Sequence, residues 1–215
     1  MHMTQDLRRK PSPATRPHPL AYLGNLLWMG SWDTDAIYAI DPQTWSVREQ
    51  VAAPGKPYGM TASGDELLVV VGIGEEDDRY IYRFAPGRGF DLTKKTACPD
   101  FTGSYLAADG STLYLGQMTH RRILALDSEG TVQRELALPT RCAGIGFGPD
   151  GLLYMISGDA ELEHLKFGRL DLSQSAPSFD EVLGLPDEAR SLVHDGKQWW
   201  TSLRDANEIA SFYDR

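Results

Sequence analysis

The chain has 215 residues, with 21 Lys and Arg against 30 Asp and Glu and a formal net charge of −9. That length suits one large all-β domain with ample material for a core. The acidic balance argues against nucleic acid as a partner, because neutralising phosphates needs a concentrated excess of cations. No run of about 18 apolar residues occurs, so no helix is expected to span a membrane.

The N-terminal segment Thr4-Gln5-Asp6-Leu7-Arg8-Arg9-Lys10-Pro11 is polar and closed by a proline. Its basic cluster runs into Pro11-Ser12-Pro13, where a signal peptide would need an apolar stretch. The expected compartment is therefore the cytoplasm, with secretion left to a signal lost upstream. A repeat then begins. YLGNLLWMG turns on Gly24 and leads through a polar break into AIYAIDP and the alternating SVREQVAAP, which ends at Pro54. TASGDELLVV turns on Gly64 and is followed by YIYRFAP and DLTKKTACP, ending at Pro99. AADGSTLYLG turns on Gly110 and precedes RILALDS and TVQRELALP, ending at Pro139. GPDGLLYMIS turns on Gly151, FGRLDLS and SFDEVLGLP follow, and Pro186 closes the unit, with one helical turn expected over Glu161 to Lys166. VHDGKQWWTS turns on Gly196 and EIASFYD follows, but the chain then stops without a polar fourth segment.

The turn glycines are 40, 46, 41 and 45 residues apart. Val, Ile, Leu, Tyr and Phe fill the segments, and Gly, Asp, Asn and Pro punctuate them, as β-strands joined by tight turns require. A repeated four-stranded unit of about 40 to 50 residues is a β-propeller blade. The expectation is a single domain over residues 1–215, an all-β, five-bladed propeller of four-stranded antiparallel blades. The segment around residues 4–10 supplies the missing fourth strand of the last blade.

Gly146 to Gly151, GFGPDG, has the GxGxxG glycine pattern of dinucleotide-binding turns. That pattern carries meaning only between a strand and a helix. Here LLYMI follows, which reads as another strand, so Gly151 is a hairpin turn and Gly144 and Gly146 let an inner strand pass close to the axis.

The inner strands are expected at Leu20–Gly24, Tyr58–Ser63, Ser104–Asp109, Ala143–Gly148 and Arg190–Asp195. The residues just after each proline then ring one channel mouth: His18, Lys56, Tyr58, Thr102, Ser104, Arg141 and Arg190. Such a basic rim favours an anionic small molecule, because charge attraction strengthens as the effective dielectric falls. The competing expectation is that the arginines pair with nearby carboxylates and fasten the blades. Trp32, in a loop of the same face, is the aromatic placed to meet a ligand, whereas Trp28, Trp199 and Trp200 should pack the blades. His194 reads as a core histidine. His120, Asp159 and His164 lie in loops of this face and could hold a divalent metal, although no spacing motif marks them. Cys98 and Cys142 have neither CxxC spacing nor the number of a disulfide scaffold, and no GxSxG elbow is present.

The alternation of PYGMTASGDELLVV with YIYRFAP, and of CAGIGFGPDGLLYMIS with FGRLDLS, resembles the NHL, gluconolactonase and virginiamycin B lyase group of propellers. The resemblance spans essentially the whole chain and rests on packing and turn residues. It implies the fold and, for members with activity, a metal-assisted hydrolase or lyase acting on small molecules. Glutaminyl cyclase also resembles a five-bladed propeller, but its FTQGL-like segment has no counterpart here. The leading expectation is a monomeric propeller binding a small anionic ligand at the mouth. The alternative is a non-catalytic module whose loop face recognises a protein partner.

Overall fold

A computed structural model describes residues 7–174 and 176–214. The chain enters through β1 (Arg8–Pro11). Blade 1 contains β2 (Pro17–Leu23), β3 (Leu26–Ser31), β4 (Ala36–Asp41) and β5 (Ser46–Ala52), and blade 2 contains β6 (Lys56–Ser63), β7 (Glu66–Ile73), β8 (Asp78–Ala85) and β9 (Gly89–Ala97). Blade 3 contains β10 (Tyr105–Asp109), β11 (Thr112–Gln117), β12 (Arg122–Leu126) and β13 (Val132–Ala137). Blade 4 contains β14 (Arg141–Phe147), β15 (Leu153–Gly158), β16 (Lys166–Asp171) and β17 (Ser178–Gly184). Blade 5 contains β18 (Ala189–His194), β19 (Trp199–Leu203) and β20 (Glu208–Phe212), with β1 as its outer strand. All pairings are antiparallel, and the inner strands β2, β6, β10, β14 and β18 form a closed ring. Among the described residues no helix is long and apolar enough to cross a membrane.

The five turn glycines all have positive φ, from 56° at Gly110 to 93° at Gly196. GFGPDG is such a turn, with the Gly151 N–H donating to the Gly148 carbonyl at 3.0 Å and β15 beginning two residues later. Gly146 is required by the ring rather than by a nucleotide, since a Cβ there would lie 2.7 Å from the Leu192 carbonyl oxygen of the neighbouring inner strand. Residues 161–166 form no helical turn: Asp159 Oδ1 accepts the Glu161 and Glu163 N–H groups and closes the loop on itself. An aspartate that bonds backbone two and four residues ahead offers an alternative to helix and wins over a single turn.

The core is divided into five clusters, each between adjacent blades. Trp28 and Ile37 of blade 1 meet Met60, Val69 and Phe84 of blade 2. Val70 and Ile81, on the other face of blade 2, meet Leu115 and Leu124. Ile123 meets Ile145 and Met155, and Tyr154 and Phe167 meet Trp199 and Phe212. Trp200, one residue on and therefore on the opposite face, packs with Leu27, Met29 and Tyr38 of blade 1. Side chains alternate across a strand, so each middle strand serves two cores. Neither core exists without both neighbours, and the repeat must therefore close.

Closure is made by β1. Arg8 pairs with Ser211, Arg9 with Ala210, Lys10 with Ile209 and Pro11 with Glu208. The Trp45 indole donates to the Pro11 carbonyl at 2.8 Å, stacks on Trp200 at 5.9 Å and lies under the Lys10 ammonium at 4.6 Å. The expected closing segment is thus seen over Arg8–Pro11, and Thr4, Gln5 and Asp6 lie outside the described residues.

Candidate functional site at the channel mouth

Four of the five inner strands carry a bulge close to where they begin: between Pro17 and Leu20, Pro57 and Gly59, Cys142 and Gly144, and Arg190 and Val193. A bulge re-aims the side chains beside it. Here it turns residues from separate blades toward one another.

His18 stands at the centre, 2 % exposed. Its ring lies 4.2 Å from Trp32, 5.6 Å from Tyr105 and 6.2 Å from Tyr58. Its Nδ1 is buried without a hydrogen-bond partner. Burial holds its pKa well below the ordinary imidazole value, and the positive charges of Arg204, Arg190, Arg79 and Arg16 lower it further. The ring is neutral, with one nitrogen able to donate and one to accept.

Three cations face the Trp32 indole: Arg204 at 4.8 Å, Arg16 at 5.2 Å and Lys56 at 5.8 Å. The Trp32 Nε1–H donates to the Pro57 carbonyl at 2.8 Å, which fixes the ring against blade 2. Tyr58 donates to Asp77 Oδ2 at 2.6 Å and lies under the Arg79 guanidinium at 3.6 Å. Burial and then the Asp77 hydrogen bond push the Tyr58 phenol up to about 12. Arg79 also donates to the Gly103 carbonyl at 2.8 Å and to Ser104 Oγ at 3.3 Å. Arg190 is 5 % exposed, and its Nη1 donates to the carbonyls of Asp187 and Ala189 at 2.8 and 2.7 Å. Its Nε is buried and unpartnered.

Of the residues expected to form the mouth, His18, Trp32, Lys56, Tyr58, Ser104 and Arg190 are brought together. Arg141 sits at the start of β14 but outside this aromatic cluster, along a groove shared with Arg121. Thr102 contributes its carbonyl, which accepts from Gln117. Pairing with carboxylates accounts for part of the charge: Arg79 meets Asp77 at 3.2 Å and Arg204 meets Asp205 at 3.3 Å. Arg16, Lys56 and Arg190 form no salt bridge among the described residues, although Asp205 and Asp187 lie near enough to Arg190 to act on its charge. Arg16, Arg79 and Tyr105 escaped the sequence reading. Arg16 was legible in principle, because the β-ladders put it one residue before Pro17, as Lys56 precedes Pro57 and Arg141 precedes Cys142, each of these partners opposing the same point of a second strand.

Trp28, Trp199 and Trp200 are buried blade packing, as expected. His194 is half-buried at the other end of the channel, where its Nδ1 accepts the Gly196 N–H. Of the metal candidates, Asp159 and His164 lie together with Glu163, their ligand atoms within 4.8 Å of one another, and all three are exposed. His120 does not join them and lies 3.3 Å from Gln117 Oε1. Asp159 already accepts two backbone N–H groups and lies 3.3 Å from His164 Nδ1.

No protein-family model matches the chain, and no curated protein matches it by sequence. Solved structures do. Virginiamycin B lyase from Staphylococcus aureus is 13 % identical over 96 % of this chain and 98 % of its own, with a TM-score of 0.59. PQQ-bound aldose sugar dehydrogenase from Streptomyces coelicolor is 13 % identical over 94 % of this chain and 80 % of its own, with a TM-score of 0.61. Hydrazine synthase from Kuenenia stuttgartiensis is 17 % identical over 89 % of this chain, with a TM-score of 0.57, and the match spans 56 % of its length. At these identities the likeness is one of β-propeller fold, with virginiamycin B lyase, of the group that the sequence resembles, among the structural neighbours.

Proposed function

We propose that the protein binds a small anionic molecule at the channel mouth, between His18, Arg190, Arg204, Arg16 and Lys56, with Trp32, Tyr58 and Ser104 shaping the opening. One observation carries this reading: a fully buried neutral histidine with an unpartnered Nδ1 is ringed by guanidinium groups. Leaving a buried polar atom unpaired costs about 1–3 kcal/mol, so a ligand that reaches it by displacing the side chains that cover it recovers that cost. Small molecules are also what two neighbours are described with, PQQ in aldose sugar dehydrogenase and quinupristin in an inactive virginiamycin B lyase variant.

A metal fits the mouth poorly, because five cationic side chains would face it. Asp159, Glu163 and His164 are the only grouping among the described residues with three ligand atoms in reach of one ion. An ion there would compete with His164 Nδ1 for Asp159 Oδ2, while Oδ1 stays with the loop's N–H groups. The cation-lined mouth suits anion binding rather than metal-assisted hydrolysis or elimination.

A protein-recognition face would need an exposed apolar rim. Of the exposed large apolar residues Val47, Leu92, Phe101, Val132 and Leu152, only Phe101 belongs to a loop of this face. That scarcity favours a small ligand and a monomer. Two free buried cysteines, Cys98 and Cys142, accord with the reducing cytoplasm.

The test starts from a thermal-shift screen of carboxylates and phosphates. Arg190→Ala should abolish binding of the compound found, and the less buried Arg204→Ala should weaken it about 10- to 100-fold, as expected for a charge-assisted hydrogen bond. Titration calorimetry reads both. Affinities equal to the parent's in the two variants would remove the proposal.

A further inference from the structure

The turns between second and third strands are equivalent in blades 1, 2, 3 and 5. Residues 32–35, 74–77, 118–121 and 204–207 each form a four-residue turn whose last residue has positive φ, 44° at Asp35, 56° at Asp77, 50° at Arg121 and 56° at Asn207. Asp and Asn enter the left-handed region more readily than other L-residues, because their short polar side chains bond locally. Blade 3 instead places an arginine there. A locally disfavoured residue in an otherwise regular repeat points to something the position does besides turning the chain.

Arg121 lines a groove of about 400 Å³ between blades 3 and 4, together with Thr119, Thr140, Arg141 and Asp159. Neither guanidinium has an ion-pair or hydrogen-bond partner among the described residues. Thr140 Oγ1 lies 2.7 Å from the buried Ser157 Oγ, so a proton donated by Ser157 would leave the threonine's own free for the groove. Asp159 is the one carboxylate lining it, and its Oδ1 is occupied by the N–H groups of Glu161 and Glu163. Two guanidinium groups and two hydroxyls match an acceptor-only group with three oxygens, a phosphate or sulfate. The groove reaches the channel rim through Arg141, which occupies the rim position of Arg16 and Lys56.

We propose that this groove is a second anion subsite, and that the ligand is an elongated molecule with two anionic groups, one at the mouth and a terminal phosphate or sulfate between Arg121 and Arg141. The inference rests on the mouth being the first subsite. Methylphosphonate serves as the single-anion probe, and alkane-α,ω-bisphosphonates and bis-sulfonates of one to six carbons serve as the two-anion probes, all titrated calorimetrically. In the parent, one chain length should bind at least ten-fold more tightly than methylphosphonate, and the better of the two series identifies the terminal group. Arg121→Asn should erase that advantage, leave methylphosphonate affinity unchanged and keep or raise the melting temperature, since asparagine suits the turn. If methylphosphonate binds but no chain length improves on it, the groove is not a subsite and the mouth stands. If neither methylphosphonate nor any two-anion probe binds, or if methylphosphonate affinity falls in Arg121→Asn rather than in Arg204→Ala, this inference falls, while the mouth reading is judged by its own screen.

Discussion

At the far end of the channel, Asp195 accepts the N–H groups of Lys197 and Gln198 and the Trp200 indole, all within five residues of itself. Asp150 accepts the Leu152 N–H and the Tyr154 hydroxyl, and His194 Nδ1 accepts the Gly196 N–H. A cavity of about 170 Å³ at this end is walled by Leu20, Tyr22, Met60, Leu106 and Leu192 together with Thr61 and His194. At the mouth His18, Tyr58, Ser104 and Arg190 converge from four blades, with Tyr58 held by Asp77 of its own blade, Ser104 by Arg79 of blade 2, and His18 Nδ1 and Arg190 Nε left unpartnered. The far end ties most of its polar side chains into its own turns, with Gln198 Oε1 and Trp199 Nε1 left buried and unpartnered, and contributes stability. The mouth leaves polar groups facing one another across blades, an arrangement that costs stability and suits a ligand.

The largest effect should come from the far-end core. Trp199 is 0 % exposed and contacts Tyr154, Phe167 and His194. Trp199→Ala should cost about 3–5 kcal/mol, as for other buried aromatics, read as a lower urea midpoint. Ligand affinity of the folded fraction should stay at the parent's value; a change would mean that the two ends are not separable.

Removing residues 1–11 should come next. It strips blade 5 of the four paired residues of β1 and exposes the edge of β20. At roughly 1 kcal/mol per hydrogen bond, and about 2–4 °C per kcal/mol for a domain of this size, several degrees of melting temperature should be lost, or the protein should aggregate. An unchanged melting curve would remove the closure argument. Because the Arg16 N–H is held by Asn207 Oδ1 at 2.7 Å and Ser12 N by the Asn207 carbonyl at 2.9 Å, the truncation should also loosen the mouth side and weaken anion binding.

The smallest effect is the pH dependence of His18. Its folded-state pKa lies below the ordinary value of 6.5, chiefly through burial and then through Arg204, Arg190, Arg79 and Arg16. The unfolded chain therefore binds the proton more readily. The neutral ring costs nothing above pH 6.5, and stability is lost as pH falls from there toward the folded value, by at most roughly 1.4 kcal/mol per unit. Melting temperatures at pH 7.0 and 5.5 should differ less in His18→Gln than in the parent. Equal slopes would mean that His18 is not buried neutral.

The fold was legible because its signal is local and repeated. A glycine with positive φ at each hairpin and alternating apolar strands recur five times, and neither needs knowledge of distant parts of the chain. The closing strand was legible by the same logic, since a missing fourth segment at one end matched a surplus one at the other. The mouth was legible as a set of positions, because the residue after each closing proline must stand at an inner-strand entrance, and His18, Lys56, Tyr58, Ser104 and Arg190 followed from that. The turn over residues 161–166 misled because apolar spacing says nothing of an aspartate that captures the N–H groups ahead of it.

The repeat, the five closed blades and the ring of residues at one end are thus written locally along the chain. Which of those residues share a space depends on how the blades pack. Arg79 reaches Ser104 across a blade boundary, Arg204 and Arg16 meet on Trp32 from opposite ends of the chain, and Arg141 stands instead in a groove with Arg121. Burial of His18 and its loss of charge follow from that convergence. They depend on side chains some 190 residues apart, and no local pattern records how those side chains meet.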